Sequence, residues 1–172
     1  MKIRFNLGKT SMFVGLCAVG AIALCSVLIH PFGSVKDQRS ARPLLSGALI
    51  DAQTRTIIHR SCQNCHSQMT EWPWYSYVAP VSWMIEDDVR RGRSHMDLSR
   101  WEEYTADQRI ALLEQIPMIV RNRSMPLPRY RLLHPEARLS DSDIDHLSQW
   151  TRTERDRLPS THTWGVGAVH HR

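Results

Sequence analysis

The chain is expected to fold around one motif, Cys62-Gln63-Asn64-Cys65-His66. The pattern C-x-x-C-H is the attachment signature of a c-type haem. Two thiols three positions apart on one helical turn can reach the two vinyl groups of a single porphyrin, while the imidazole that follows points at the iron. The sequence therefore predicts one covalent haem c, with Cys62 and Cys65 as thioether anchors and His66 as the proximal iron ligand.

The same cysteine pair has three other interpretations: a zinc half-site, a redox dithiol and a structural disulfide. A structural zinc site normally needs a second pair of ligands at a recognisable spacing, and no cysteine follows Cys65 in the sequence. A thioredoxin-like dithiol lies between a strand and a helix of a βαβ unit, and residues 50–80 do not have that pattern. Haem attachment is therefore the preferred interpretation.

The N-terminal segment predicts where the chain is located. Residues 12–29 form an uncharged, largely apolar run, about 27 Å long as a helix, which is close to the thickness of a bilayer core. Lys2, Arg4 and Lys9 precede this run without any acidic residue. We therefore expect a single-pass protein of the bacterial inner membrane, with its N-terminal end in the cytoplasm and the rest in the periplasm.

Three segments are expected along the chain. Residues 1–35 form the signal anchor, residues 36–158 the haem-binding domain and residues 159–172 a disordered tail. Cleavage of the anchor stays open as an alternative, because the small residues around Ile22 resemble a cleavage site although they lie inside the apolar run.

The charge of the chain gives no support for a nucleic-acid partner. The net charge is +5, but three of the 22 basic residues precede the apolar run, which leaves 19 basic against 17 acidic residues. Two ionised haem propionates would cancel that remainder. The excess of basic residues therefore indicates mainly the orientation of the chain in a membrane, and nucleic acid is not an expected partner.

The domain is predicted to be all-α, because alternation with a period of two is rare and several segments carry helix start or stop signals. The first helix is expected over 47–60, directly before the motif. The second is expected to begin at Pro80 and stop at Gly92. The third opens at a Thr105/Gln108 capping box and ends or kinks at Pro117. The last begins after Ser140, where Asp143 three positions on gives a second capping pattern.

Several motifs carry a resemblance to a known family. They are Cys62-Gln63-Asn64-Cys65-His66-Ser67, Trp74-Tyr75-Ser76-Tyr77, Ala79-Pro80-Val81-Ser82-Trp83, Met125-Pro126 and His134-Pro135-Glu136-Ala137. Through them, residues 45–150 resemble the bacterial haem-binding domain family of the cytochrome c type. The resemblance implies an all-α, cytochrome c-like domain around one haem, and it implies the cofactor and fold more firmly than a partner or a reaction.

Met125 is the candidate for the sixth ligand of the iron. Two prolines, Pro126 and Pro128, follow it and favour the extended loop that a ligand needs. The alternative is His134 in the same region, which would give bis-histidine ligation and a lower potential. The predicted metal ligands are therefore His66 and Met125, with His134 as the competitor.

Three further residues are expected to contact the cofactor. Trp74 and Tyr75 belong to an aromatic run that can supply apolar walls and polar tips for a haem. In cytochromes c a proline carbonyl after the attachment motif accepts the N–H of the proximal imidazole, and by that resemblance Pro80 is the candidate acceptor.

The leading functional hypothesis is a membrane-anchored periplasmic c-type cytochrome that transfers single electrons and is not an enzyme. Its redox partner protein is not identified by the sequence. One alternative is a haem peroxidase-like enzyme, which needs an open iron face and a nearby acid-base group such as His95 or His134. The other is a haem-based sensor with a labile sixth position at Met125.

Overall fold

A computed structural model describes residues 7–29, 35 and 43–159 of the chain. In these ranges the α-helices and 3-10 helices are the only regular elements, which confirms the all-α prediction. The α-helices are α1 (Leu7–Leu28), α2 (Ala52–Ser61), α3 (Gln63–His66), α4 (Val81–His95), α5 (Ala106–Arg121), α6 (Pro128–Leu133) and α7 (Asp141–Arg157). Shorter 3-10 helices cover Trp74–Tyr77, Leu98–Glu103 and Pro135–Ala137.

The predicted transmembrane helix over 12–29 is not supported by the structure. α1 covers most of this segment and exposes large apolar side chains such as Phe13 and Leu16. None of the helices in the described ranges combines the length and the apolar content that crossing a membrane requires. The predicted tail over 159–172 lies outside the described residues apart from Pro159.

α2 begins later than the predicted 47–60. Gly47 has a φ of +83°, a left-handed conformation that a helix cannot pass through. Asp51 then caps the helix, because its carboxylate accepts the backbone N–H of Thr54 at 2.9 Å. α2 ends at Ser61, so the motif follows it directly.

α4 continues past Gly92, where the sequence predicted its end, to His95. Gly92 is needed for close packing rather than for termination. A Cβ atom at Gly92 would lie 2.5 Å from the carbonyl oxygen of Cys65. The glycine therefore marks the point where α4 crosses the backbone of α3.

The two capping-box predictions are confirmed at Thr105 and Ser140, which begin α5 and α7. Of the two outcomes expected at Pro117, an end of α5 is wrong, because the helix continues to Arg121. The missing N–H of Pro117 removes one hydrogen bond without ending the helix.

One buried cluster joins α2, α5, α7 and the 3-10 helix Leu98–Glu103. Trp101, Leu113 and Leu147 are each only 1% exposed at its centre. Because α5 and α7 pack along each other, their inner faces form one wall of a cavity beside the motif.

Candidate functional site

The motif spans the junction of α2 and α3. Cys62 is the residue between the two helices, and its N–H donates to the carbonyl of Ile58 at 2.9 Å, so it continues the last turn of α2. Cys65 and His66 lie on α3. All four cysteines of the chain are free, so the alternative of a Cys62–Cys65 disulfide does not describe this structure.

The motif opens into a cavity of about 530 Å³, a size that suits a bound cofactor. The side chains of Cys62, Cys65 and His66 line this cavity together with Met125. Most of the remaining wall is apolar and comes from α2, α5, α7 and the segments between helices. It includes Ile58, Met96, Ile116, Ile119, Val120, Leu139, Leu147 and Trp150.

The imidazole of His66 is fixed by a backbone carbonyl. Its Nδ1 lies 3.0 Å from the carbonyl oxygen of Met96. Because a carbonyl can only accept, Nδ1 carries the hydrogen, and Nε2 keeps the lone pair that a metal ion needs. Burial lowers the pKa of His66, which keeps the ring neutral and able to ligate.

This acceptor replaces the one predicted at Pro80. The carbonyl of Pro80 instead accepts the N–H of Met84 at 3.3 Å, inside the first turn of α4. Met96 follows the last residue of α4, where carbonyl groups have no partner within the helix. The sequence predicted the end of this helix at Gly92, so it did not indicate the carbonyl of Met96 as the acceptor.

The two thiols are not activated for redox chemistry. Burial raises the pKa of Cys62 to about 12 and that of Cys65 to about 11, and the carboxylate of Asp88 adds to the effect at Cys65. Redox-active cysteines have lowered pKa values, so the geometry does not favour a dithiol enzyme. A zinc site is not favoured either, since no group of three or more metal-binding side chains occurs in the described ranges.

Met125 lies on a loop that several hydrogen bonds hold in place. Its backbone N–H donates to the carbonyl of Ile119 at 3.3 Å, and the hydroxyl of Ser124 donates to the same carbonyl at 3.1 Å. Arg123 has a φ of +61°, and its guanidinium contacts the carbonyl of Leu139 and the carboxylate of Asp141. The loop thus places Met125 at the cavity wall.

His134 does not line this cavity. Its Nε2 lies 2.5 Å from the hydroxyl of Tyr75, and its Nδ1 lies 2.9 Å from the carboxylate of Glu136. Both ring nitrogens are therefore engaged, which disfavours His134 as an iron ligand.

Trp74 and Tyr75, which the sequence predicts to contact the cofactor, do not line the cavity either. 

Trp74 is 79% exposed, and Tyr75 lines a separate, smaller pocket of about 80 Å³ together with Tyr130. An aromatic run identifies large side chains but not the side of the chain that is buried, and here the 3-10 helix Trp74–Tyr77 turns Trp74 towards solvent.

Tyr130 is a cavity residue that no motif of the sequence predicts. It lies on α6, and its hydroxyl accepts a hydrogen bond from the side-chain amide of Asn64, inside the motif, at 2.9 Å. Tyr130 also lines the main cavity. No periodic pattern surrounds Tyr130, so only its short distance in sequence from Met125 could have pointed to it.

Charged side chains line one edge of the cavity. Arg129 of α6 donates through Nε to the carboxylate of Asp88 on α4 at 2.9 Å. Nε of Arg91 lies 2.7 Å from a carboxylate oxygen of Asp87, one turn earlier on α4. The side chains of Arg91 and Arg129 are 73% and 51% exposed, so both guanidinium groups are accessible to the carboxylates of a ligand.

The residues present fit a haem. The apolar wall suits a porphyrin, the thiols are reduced, and the neutral imidazole keeps one nitrogen for iron. Ser61 also lines the cavity, and its buried hydroxyl has no hydrogen-bond partner within the described ranges. A buried polar group of this kind is usually satisfied by something bound.

Comparisons with known proteins agree with this geometry. The family model described as Haem-binding domain matches residues 22–153. Over 99 residues the chain is 24% identical to the cytochrome c peroxidase Ccp of Escherichia coli (strain K12). That match covers 56% of this chain and 21% of the relative, so the chain spans about a fifth of the relative's length. No solved structure matches the chain significantly.

Proposed function

This chain belongs to the haem-binding domain family, and we propose that it holds one covalently attached haem c and uses it to transfer single electrons. One observation carries the proposal: Cys62, Cys65, His66 and Met125 line the same cavity of about 530 Å³. A cavity that joins two anchor thiols to two candidate iron ligands is what a c-type site requires.

Each residue of the motif has a distinct proposed role. Cys62 and Cys65 form the two thioether bonds, and His66 binds iron through Nε2. The carbonyl of Met96 holds the imidazole in one tautomer and orientation, which raises its basicity as a ligand. The bound haem supplies an iron that cycles between the ferric and ferrous states.

Met125 is the proposed distal ligand. Its loop is held at the cavity by the hydrogen bonds to Ile119, whereas the competitor His134 is engaged by Tyr75 and Glu136. A thioether ligand and an apolar cavity both favour a raised reduction potential. Two protein ligands on the iron would favour electron transfer over chemistry on a bound substrate.

Arg91 and Arg129 are the proposed partners of the haem propionates. Both line the cavity edge and keep exposed guanidinium surface beyond their pairs with Asp87 and Asp88. Bidentate hydrogen bonds from arginine to carboxylate would orient the haem and exclude water from that edge.

We propose a location outside the cytoplasm, in the periplasm, because covalent haem attachment takes place there in the proteins that this chain resembles. The partner is a second redox protein that exchanges one electron at a time. Attachment to the inner membrane through residues 12–29 stays a prediction of the sequence.

Peroxide reduction is a second candidate function. The relative in the comparison is named a cytochrome c peroxidase. His95 lines the cavity, with its Nε2 3.0 Å from the side-chain oxygen of Gln115, and could move a proton there. This function requires Met125 to leave the iron.

Replacing Met125 separates the two functions. We expect the wild-type iron to be low-spin and closed to carbon monoxide, and Met125→Ala to be high-spin and to bind carbon monoxide. Met118→Ala is the control, because Met118 is 62% exposed on α5. An unchanged spectrum for Met125→Ala would overturn the ligand assignment, and rapid carbon monoxide binding by the wild type would favour peroxide reduction.

A further inference from the structure

A group of titratable side chains lies beside the haem cavity and outside the proposed ligand set. Tyr75 comes from the 3-10 helix Trp74–Tyr77, and His134 follows α6. The Tyr75 hydroxyl lies 2.5 Å from Nε2 of His134, and Nδ1 of His134 lies 2.9 Å from Oε1 of Glu136. An ionised Glu136 can only accept, so Nδ1 carries the hydrogen and the phenol donates to Nε2.

Tyr130 connects this group to the cavity. Its ring stacks on the imidazole of His134, with centroids 4.2 Å apart and planes inclined by 16°. Tyr130 also lines the main cavity, and its hydroxyl accepts a hydrogen bond from the side-chain amide of Asn64 in the motif. The triad of Tyr75, His134 and Glu136 is therefore one ring away from the haem cavity.

Trp74 connects the group to solvent. Its ring meets that of Tyr75 edge-on, with centroids 5.8 Å apart. Trp74 is 79% exposed. A continuous series of aromatic groups thus runs from the cavity, through Tyr130, His134 and Tyr75, to the surface at Trp74.

We propose that Tyr75 is a redox-active tyrosine whose proton is taken by His134, backed by Glu136, and whose electron reaches the haem cavity through Tyr130. The proposal rests on the proposed haem. Oxidation of a phenol releases a proton as well as an electron, so a positioned base beside the hydroxyl is the feature that distinguishes such a tyrosine.

The oxidant is hydrogen peroxide, which would reach the haem once Met125 no longer closes it. Its O–O bond breaks as it takes two electrons, and two protons from solvent, to give two water molecules. A reduced haem would supply one electron by going from the ferrous to the ferric state, and Tyr75 supplies the other. When Tyr75 is oxidised, its O–H bond breaks and the proton moves to Nε2 of His134. A reduced electron-transfer protein at Trp74 later returns one electron to Tyr75, and the proton returns from His134 to restore the phenol.

The first test uses the haem-loaded full chain carrying Met125→Ala, which opens the iron to peroxide, with the haem reduced beforehand and the excess reductant removed. After one equivalent of hydrogen peroxide and rapid freezing, electron paramagnetic resonance should detect a tyrosyl radical. We expect Tyr75→Phe to abolish the signal. Tyr77→Phe, a change in the same 3-10 helix, should keep it. Equal signals in the two variants would overturn the proposal.

The second test oxidises the purified full chain with hexachloroiridate, a one-electron oxidant that needs no haem. The rate of Tyr75 oxidation should fall by about 10²-fold in His134→Phe, which keeps an aromatic ring but has no base. It should also fall in heavy water for the wild type but not for His134→Phe. Equal rates in the wild type and His134→Phe would overturn the proposal.

A pyridine haemochrome assay on each preparation keeps the two proposals distinguishable. Protein without covalent haem would contradict the proposed function, and the hexachloroiridate rates would then decide whether Tyr75 has a proton-accepting partner. Protein with haem but without a Tyr75-dependent signal would contradict this inference and leave the proposed function intact.

Discussion

The Nδ1 atom of His66 lies 3.0 Å from the carbonyl oxygen of Met96, thirty residues further along the chain. The same end of α4 carries Gly92, which crosses the backbone of Cys65. The last turn of α4 therefore positions both the second anchor thiol and the proximal imidazole.

Gly92→Ala should destabilise the protein. Alanine is a better helix former than glycine by about 1 kcal/mol, so an open position would gain stability. At Gly92 the new Cβ would lie 2.5 Å from the carbonyl oxygen of Cys65, and the backbone of α3 or α4 must move. We expect a net loss of about 1–3 kcal/mol in the free energy of unfolding, measured by urea denaturation.

Gly20→Ala is the matched control for that change. Gly20 also lies inside a helix, and a Cβ there would meet nothing within 4 Å. Stability equal to or above that of the wild type is expected for this variant. A stabilised Gly92→Ala would contradict the close crossing of α3 and α4.

The loop of Met125 should loosen when Arg123 is replaced. Its guanidinium joins the loop to Leu139 and Asp141. Arg123→Ala removes both contacts and keeps the unfavourable positive φ. The expected result is a larger fraction of haem that binds carbon monoxide, measured by titration, while Arg121→Ala is the control. Identical titrations for the two variants would contradict this role.

The thiols of the motif should react slowly with iodoacetamide before haem attachment. With a pKa of about 12 for Cys62 and about 11 for Cys65, few thiolates exist at pH 8, and the rate should rise as the pH approaches these values. Unfolding in urea should accelerate alkylation on the order of 10²-fold at pH 8, because the thiols regain an ordinary pKa. Cys17→Ala and Cys25→Ala remove the other thiols. Equal rates in folded and unfolded protein would contradict the burial of the pair.

Asp51→Ala should cost about 1 kcal/mol at pH 7, because it removes the N-cap of α2. Burial opposes ionisation of Asp51, but hydrogen bonds from Thr54 and His146 outweigh it and lower its pKa to about 2. A lowered pKa means that the ionised cap stabilises the fold above the usual value of 3.8 and loses this effect as the pH falls towards 2.

The difference in the free energy of unfolding between the wild type and Asp51→Ala should therefore narrow as the pH falls from 3.8 towards 2, as measured by urea denaturation at several pH values. Asp51→Asn keeps a capping side chain without the charge, so it should retain most of the stability at pH 7 and show a weaker pH dependence. A constant difference between pH 7 and pH 2 would contradict the lowered pKa.

Local signals predicted much of the fold. The capping boxes at Thr105 and Ser140 depend on contacts across three residues, and the sequence locates them correctly. The predicted end of α4 was wrong because a glycine can either stop a helix or allow another backbone to pack closely against it. Only the packed structure shows that Gly92 has the second role.

The residues of the candidate site, like the helices, could be predicted from the sequence only in part. The motif identifies Cys62, Cys65 and His66 through their spacing, but the acceptor at Met96 is a backbone carbonyl, which has no residue-type signature. The pairing of Tyr75 with His134 joins positions 59 residues apart. No pattern in a single sequence indicates contacts at that separation.

Optical spectroscopy of the purified protein, with a pyridine haemochrome assay after denaturation, tests the central claim most directly. The account predicts one haem c per chain that stays attached when the protein is unfolded, and a weak red band from Met125 ligation that disappears on reduction. Haem that is lost on unfolding, or a protein purified without haem, would contradict it.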